Sequence, residues 1–118
     1  MATRFDIGAA DNWFIGEDKT VTIDVTDSAG AVQSMTAWAL TWELKRSSSS
    51  AALISKTVGS GIAIGNGAGT DDRATVTIAD TDTEALEPGT YYHHLRRTDA
   101  GSEVILSFGD AALRESGL

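Results

Sequence analysis

Apolar positions along this chain recur mainly with a period of two. Thr20-Val21-Thr22-Ile23-Asp24-Val25-Thr26 alternates without a break, which puts Val21, Ile23 and Val25 on one face of an extended segment. Asp27-Ser28-Ala29-Gly30 carries turn chemistry, and Ala31-Val32-Gln33 resumes extended structure. From Thr36 to Lys45, Trp38, Leu40, Trp42 and Leu44 alternate with Ala39, Thr41, Glu43 and Lys45. A helix would bring Met35, Trp38 and Trp42 onto one stripe but scatter Leu40 and Leu44 around the cylinder. The parity and the aromatic content therefore predict a strand with both indoles facing a core.

Later segments follow the same logic. Ser47-Ser48-Ser49-Ser50 predicts a surface loop, and Leu53 to Val58 and Ile62 to Ile64 predict short strands. Gly65-Asn66-Gly67-Ala68-Gly69 predicts a hairpin-type reversal with residues at positive φ. Arg73 to Ala79 alternates again, with Ala74, Val76 and Ile78 on one side. Thr81 or Asp82 then predicts the N-cap of one helical turn reaching Leu86. Pro88-Gly89 forces a reversal into a strand from Thr90 to Arg96, and Asp99 to Ser102 turns the chain into Glu103 to Phe108. Gly109-Asp110 predicts a kink before a last strand, Ala111 to Arg114. The whole predicts an all-β antiparallel sandwich of about seven to nine strands with one helical turn near 81–86. Its parts are an N-terminal arm at 1–12, the sandwich at 13–114 and a frayed tail at 115–118.

With 118 residues, there is room for one domain. At 42% hydrophobic and 22% charged residues, wholesale disorder is excluded. The net charge of −8 points the long-range field away from nucleic-acid backbones and anionic membranes, so neither is an expected partner. Zero cysteines exclude disulfides and thiolate chemistry. Met1 to Asp6 has no apolar leader character and no run of 18 apolar residues occurs, which predicts a soluble product not exported by the usual route.

Candidate chemistry is sparse. His93 and His94 are neighbours on a predicted strand, so their rings point to opposite faces and cannot share one metal without a bulge. If Leu95 faces inward, His93 is a partly buried, hydrogen-bonded residue and His94 faces solvent, where it can contact a neighbouring subunit. Asp71-Asp72, Asp80, Asp82 and Glu84 predict a solvated acidic rim, because none continues as a twelve-residue Ca²⁺ loop. No Gly-x-Ser-x-Gly elbow is present, and the glycines at 65–69 lack the Lys-Ser/Thr of a phosphate loop. No enzyme activity, cofactor or metal is expected on this reading. Trp13-Phe14 precedes the first clear strand, and Trp13 either plugs one end of the domain or is presented to a neighbour as an aromatic anchor.

The sharpest local signal is Leu86-Glu87-Pro88-Gly89-Thr90-Tyr91. In immunoglobulin-like sandwiches, a Tyr at the start of a late strand sends its hydroxyl back to the preceding loop, so Leu86, Pro88, Gly89 and Tyr91 form a structural corner. Together with Glu17 to Asp27, Met35 to Arg46 and Leu53 to Thr57, in that order, this corner resembles the immunoglobulin-like N-terminal domain of phage baseplate upper proteins and related small tail-associated proteins. The similarity runs from about Trp13 to Leu113. It implies a virion protein, assembled in the host cytoplasm, that docks in the tail or baseplate region against other virion proteins and copies of itself. It supplies no catalytic residues. A fibre or receptor-binding extension of the relatives is missing here, which favours a small adaptor or surface-decorating subunit. Trp13, Phe14, Ser47 to Ser50 and His94 are the candidate interface residues, and the segment Ala2 to Asn12 is expected to order on assembly. The alternative role is a capsid-surface decoration or a module binding host or mucus glycans.

Overall fold

Alternating apolar residues become strands that share one core. A computed structural model describes residues 3–8 and 12–115. Its elements are β1 (Thr3–Arg4), β2 (Trp13–Phe14), β3 (Lys19–Asp24), β4 (Leu40–Lys45), β5 (Ala52–Val58), β6 (Gly61–Gly65), β7 (Arg73–Ile78), α1 (Asp80–Thr83), β8 (Gly89–Arg97) and β9 (Val104–Arg114). Hydrogen bonds link them in the order β1-β9-β8-β4-β5-β6-β7-β3, with β2 also on β9. One path of strands serving one core must curl, and here Val21, Ile23 and Val76 from one end meet Trp42, Leu44 and Leu95 from the middle. The result is an all-β domain built as a curled sheet.

The corner between the two halves is tight. β5 and β6 touch in a two-residue parallel register, Thr57 with Gly61 and Val58 with Ile62, around a turn whose Gly59 has φ 84°. β1 and β2 also run parallel to β9, so the pairing is not purely antiparallel. Residues 3–8, expected as an arm awaiting assembly, lie along β9 within the chain itself. The Phe5 amide donates to the Phe108 carbonyl (2.8 Å), and Ile7 bridges Ala111 and is 2% exposed. Residues 1, 2, 9–11 and 116–118 of the expected arm and tail lie outside the described residues.

Several local expectations are corrected. The strand expected from Thr36 begins at Leu40, because residues 36–37 form a turn in which Ala37 takes φ 61°. Trp38 therefore sits outside the strand, half-buried against the core's edge, while Trp42 is fully buried. The glycines of 65–69 do not supply positive φ; Asp71 does, at 52°. The helical turn spans Asp80–Thr83 with Ala79 at its N-cap, where the Asp82 carboxylate accepts the Ala79 amide (2.8 Å), and does not reach Leu86. β9 runs unbroken through Gly109. That glycine is needed for approach rather than for a kink, since a Cβ there would collide with the Phe5 carbonyl.

Candidate functional site

Strand register gathers most of the sequence-predicted residues at one end of the domain. Trp13 pairs with Leu113, which pairs in turn with Gly89, so β2 and the Pro88-Gly89 reversal lie side by side across β9. Lys45 pairs with Tyr92, which brings the Ser47 to Ser50 loop to the same end; the neighbouring Arg46 guanidinium lies 5.5 Å from the Tyr91 ring centre. The serine loop closes on itself. Ser47 Oγ and Ser50 Oγ are 2.8 Å apart, and the Ser50 amide donates to the Ser47 carbonyl at 3.1 Å. Phe14 is half-buried at the same end on the far side of β9 and β8, so the end carries the serine loop, the exposed Pro88-Gly89 reversal and Phe14 in turn across the strand order.

The corner at this end is held by burial and hydrogen bonds. Tyr91 is buried, and its hydroxyl donates to the Glu87 carbonyl, while Leu86 packs against the core. Thr83 is fully buried and its Oγ1 accepts the Gly16 amide (2.9 Å), tying the turn after β2 to α1. Acidic groups crowd this end. The Asp80 amide donates to Asp18 (2.8 Å), and Asp82 pairs with Lys56 at 2.7 Å. The Lys56 hydrogen bond, helped by the Ala79 amide, holds the Asp82 carboxyl below its ordinary value.

Two candidates leave the surface. Trp13 is 0% exposed, so it belongs to the buried core and is not an anchor presented to a neighbour. His94, placed on the solvent side by strand parity, is only 6% exposed. It does point to the face opposite His93, but Glu43 of β4 and Tyr92 of its own strand lie over it on that face. Its Nε2 lies 2.8 Å from Glu43 Oε1, and the Tyr92 ring meets it edge-on at 5.6 Å. The same Glu43 oxygen also faces Arg96 Nε (3.6 Å) and Lys45 Nζ (3.8 Å). Burial lowers the His94 pKa despite the Glu43 contact.

His93 is more strongly fixed. It is fully buried, Trp42 Nε1–H donates to its Nδ1 (3.4 Å), and its Nε2 meets the Phe5 carbonyl (2.6 Å). A carbonyl only accepts, so Nε2 carries the proton and the ring is neutral. Desolvation lowers its pKa further.

The opposite end holds features that periodicity alone did not single out. Trp38, Val104 and Leu106 line a groove of about 270 Å³ with Thr26, Asp27, Ser28 and Gln33 as its polar members. Arg97 stacks on the Trp38 ring at 4.0 Å and is itself held by Asp99 at 2.7 Å. Asp72, expected on a solvated rim, is 1% exposed and accepts the amides of Gly67 (2.7 Å) and Gly69 (3.2 Å). Those bonds lower its pKa and explain the glycine-rich loop, whose backbone wraps a carboxylate. Among the described residues, no group of three or more His, Asp or Glu side chains is placed to hold a metal. No family model matches this chain, and no curated protein matches it significantly.

Proposed function

We propose that this chain is an immunoglobulin-like docking module of a phage virion, acting in the tail or baseplate region without a catalytic role. The observation that carries the reading is the strand grouping around the Tyr91 corner. Taking β3, β4, β6, β7, β8 and β9 as strands B, C, D, E, F and G, the pairs β3–β7, β7–β6, β4–β8 and β8–β9 are those of an immunoglobulin-type sandwich. Tyr91 then opens strand F, where such sandwiches place their corner tyrosine. Of the segments that carry the resemblance to phage baseplate domains, three supply β3, β4 and the opening of β8 in this grouping. The end formed by Phe14, Ser47 to Ser50 and Pro88-Gly89 is the docking surface on this reading, and its partners are other virion proteins. Density for the chain in the tail or baseplate of intact particles is the expected result of cryo-electron microscopy. Particles that contain no copy of it would overturn the proposal, and density on the capsid shell would move it to a decorating role.

A second reading, glycan binding, is favoured by one feature. Trp38 lines a groove together with hydrogen-bonding side chains, the combination that a pyranose ring needs. Oligosaccharide titration followed by tryptophan fluorescence tests it. A saturable shift that Trp38→Ala abolishes supports the reading, and an unchanged spectrum across host glycans sinks it.

A further inference from the structure

The two ends of the hydrogen-bonded path are treated differently. The outer edge of β9 is covered by the chain itself, through β1, Ile7 and β2. At the other end, β3 pairs with β7 in unbroken register from Lys19–Ile78 to Asp24–Arg73, and among the described residues no strand covers its far side. Just beyond β3, the Val25 amide donates to the Asp72 carbonyl (2.9 Å) and the Val25 carbonyl accepts from Gln33 (3.0 Å). Odd-numbered residues thus turn their backbone groups toward β7 and, past its end, toward the returning segment at 31–33 that bridges Thr26 through Val32. Alternation turns those of Thr20, Thr22 and Asp24 to the open side. No proline or bulge guards this edge, and its exposed side chains are two threonines and one aspartate.

We propose that β3 pairs antiparallel with β3 of a second copy of this chain, with Thr22 on the two-fold axis. The inference deepens the docking reading above and rests on it for the biological setting only. An extended strand is the one partner whose backbone matches alternating donors and acceptors, and a second copy offers an identical unmet edge, so one contact satisfies both. An axis normal to the sheet keeps Val21 and Ile23 of both copies on the core side. Two registers overlap the strand almost fully. Centring on Val21 sets Asp18 against Asp24, like charges directly opposite, which is unfavourable. Centring on Thr22 sets Thr20 against Asp24 and Asp18 against Thr26, with a Thr–Thr pair in the middle. The second register is selected.

The chain has no cysteine, which makes cross-linking unambiguous. Thr22→Cys should oxidise to a covalent dimer, because the two residues face each other across the axis within disulfide reach. Thr20→Cys, facing Asp24 of the mate, should not. In sedimentation equilibrium, the wild-type chain should dimerise reversibly. Thr22→Lys, which sets like charges on the axis, and Thr22→Pro, which removes an outward amide that β7 does not use, should both be monomeric. Their melting profiles should remain those of folded protein. A wild-type monomer, dimers that survive both substitutions, or equal cross-linking of the two cysteine variants would each overturn the proposal. None of those outcomes touches docking to other virion proteins, which particle density tests separately.

Discussion

His93 shows how one buried side chain couples the N-terminal segment to the centre of the sheet. Its Nε2–H donates to the Phe5 carbonyl and its Nδ1 accepts from Trp42, so a second proton would leave two N–H groups facing each other at Nδ1. Burial depresses the pKa, and the His94 ring adds to that, while Asp6 and Asp110 oppose it. A histidine lowered in the folded state binds fewer protons than the unfolded chain does between the two pKa values, so stability rises with pH there. The contribution is complete above the unfolded value of about 6.5 and is lost as pH falls through it toward the folded value. Melting temperature should therefore drop on acidification from neutral pH before the carboxylates titrate. His94, also lowered by burial, acts with the same sign; Glu43 faces it favourably, and Lys45 and Arg96 unfavourably. His93→Phe should lower stability at neutral pH by about 1–3 kcal/mol, since it orphans a buried acceptor and a buried donor. It should also remove part of the acid slope. Circular dichroism melts across that range check both effects, and a slope unchanged in the variant would refute the assignment. Tyr91→Phe is a milder change. Losing the hydroxyl's bond to the Glu87 carbonyl should cost about 1 kcal/mol in a denaturant titration, with the core otherwise kept.

At the level of elements, the N-terminal segment is held by backbone fit. Gly109 lets the Phe5 carbonyl reach β9, and Gly8, at φ 80°, lies where a Cβ would strike the Ala112 carbonyl. Gly109→Ala should therefore displace the segment. The Phe5 and Ile7 amides, which donate to Phe108 and Asp110, should exchange with solvent much faster, while amides between β4 and β8 stay protected. Uniform loss of protection would mean that the segment and the sheet form one unit. This packing also marks what the sequence could reveal. β3, β4, β7 and β8 were legible because each buries one face, and period-two alternation reports that directly: Val21, Leu40, Val76 and Leu95 are all buried. The Tyr91 corner was legible because its chemistry is local, five residues long. Gly109 was misread as a kink because its reason lies 104 residues away, at Phe5. His94 was misread because parity tells which face a residue points to, and not whether Glu43 and Tyr92 from the same sheet will cover that face. The glycines at 65–69 were assigned to turn geometry, whereas the amides of Gly67 and Gly69 serve the Asp72 carboxylate.

For the whole molecule, charge decides how association answers to salt. The domain measures 43 × 28 × 25 Å, and at 0.01 M salt the Debye length of about 30 Å spans its shorter dimensions. Two copies, each carrying −8, then repel as whole bodies. At 0.15 M salt the length falls to about 8 Å, and the repulsion is confined to groups near the contact. Pairing through β3 uses backbone hydrogen bonds and a Thr–Thr contact, none of which salt weakens much. Self-association should accordingly strengthen as salt is raised from the lower to the higher value. A complex with a basic partner would weaken over the same range, because opposite charges lose their attraction when screened. Sedimentation equilibrium at the two salt concentrations separates these cases by sign alone. A dimer that dissolves as salt rises would mean that the copies meet through ion pairs, such as Arg4 or Arg114 of one copy on an acidic end of the other, and the open edge of β3 would then have a different occupant.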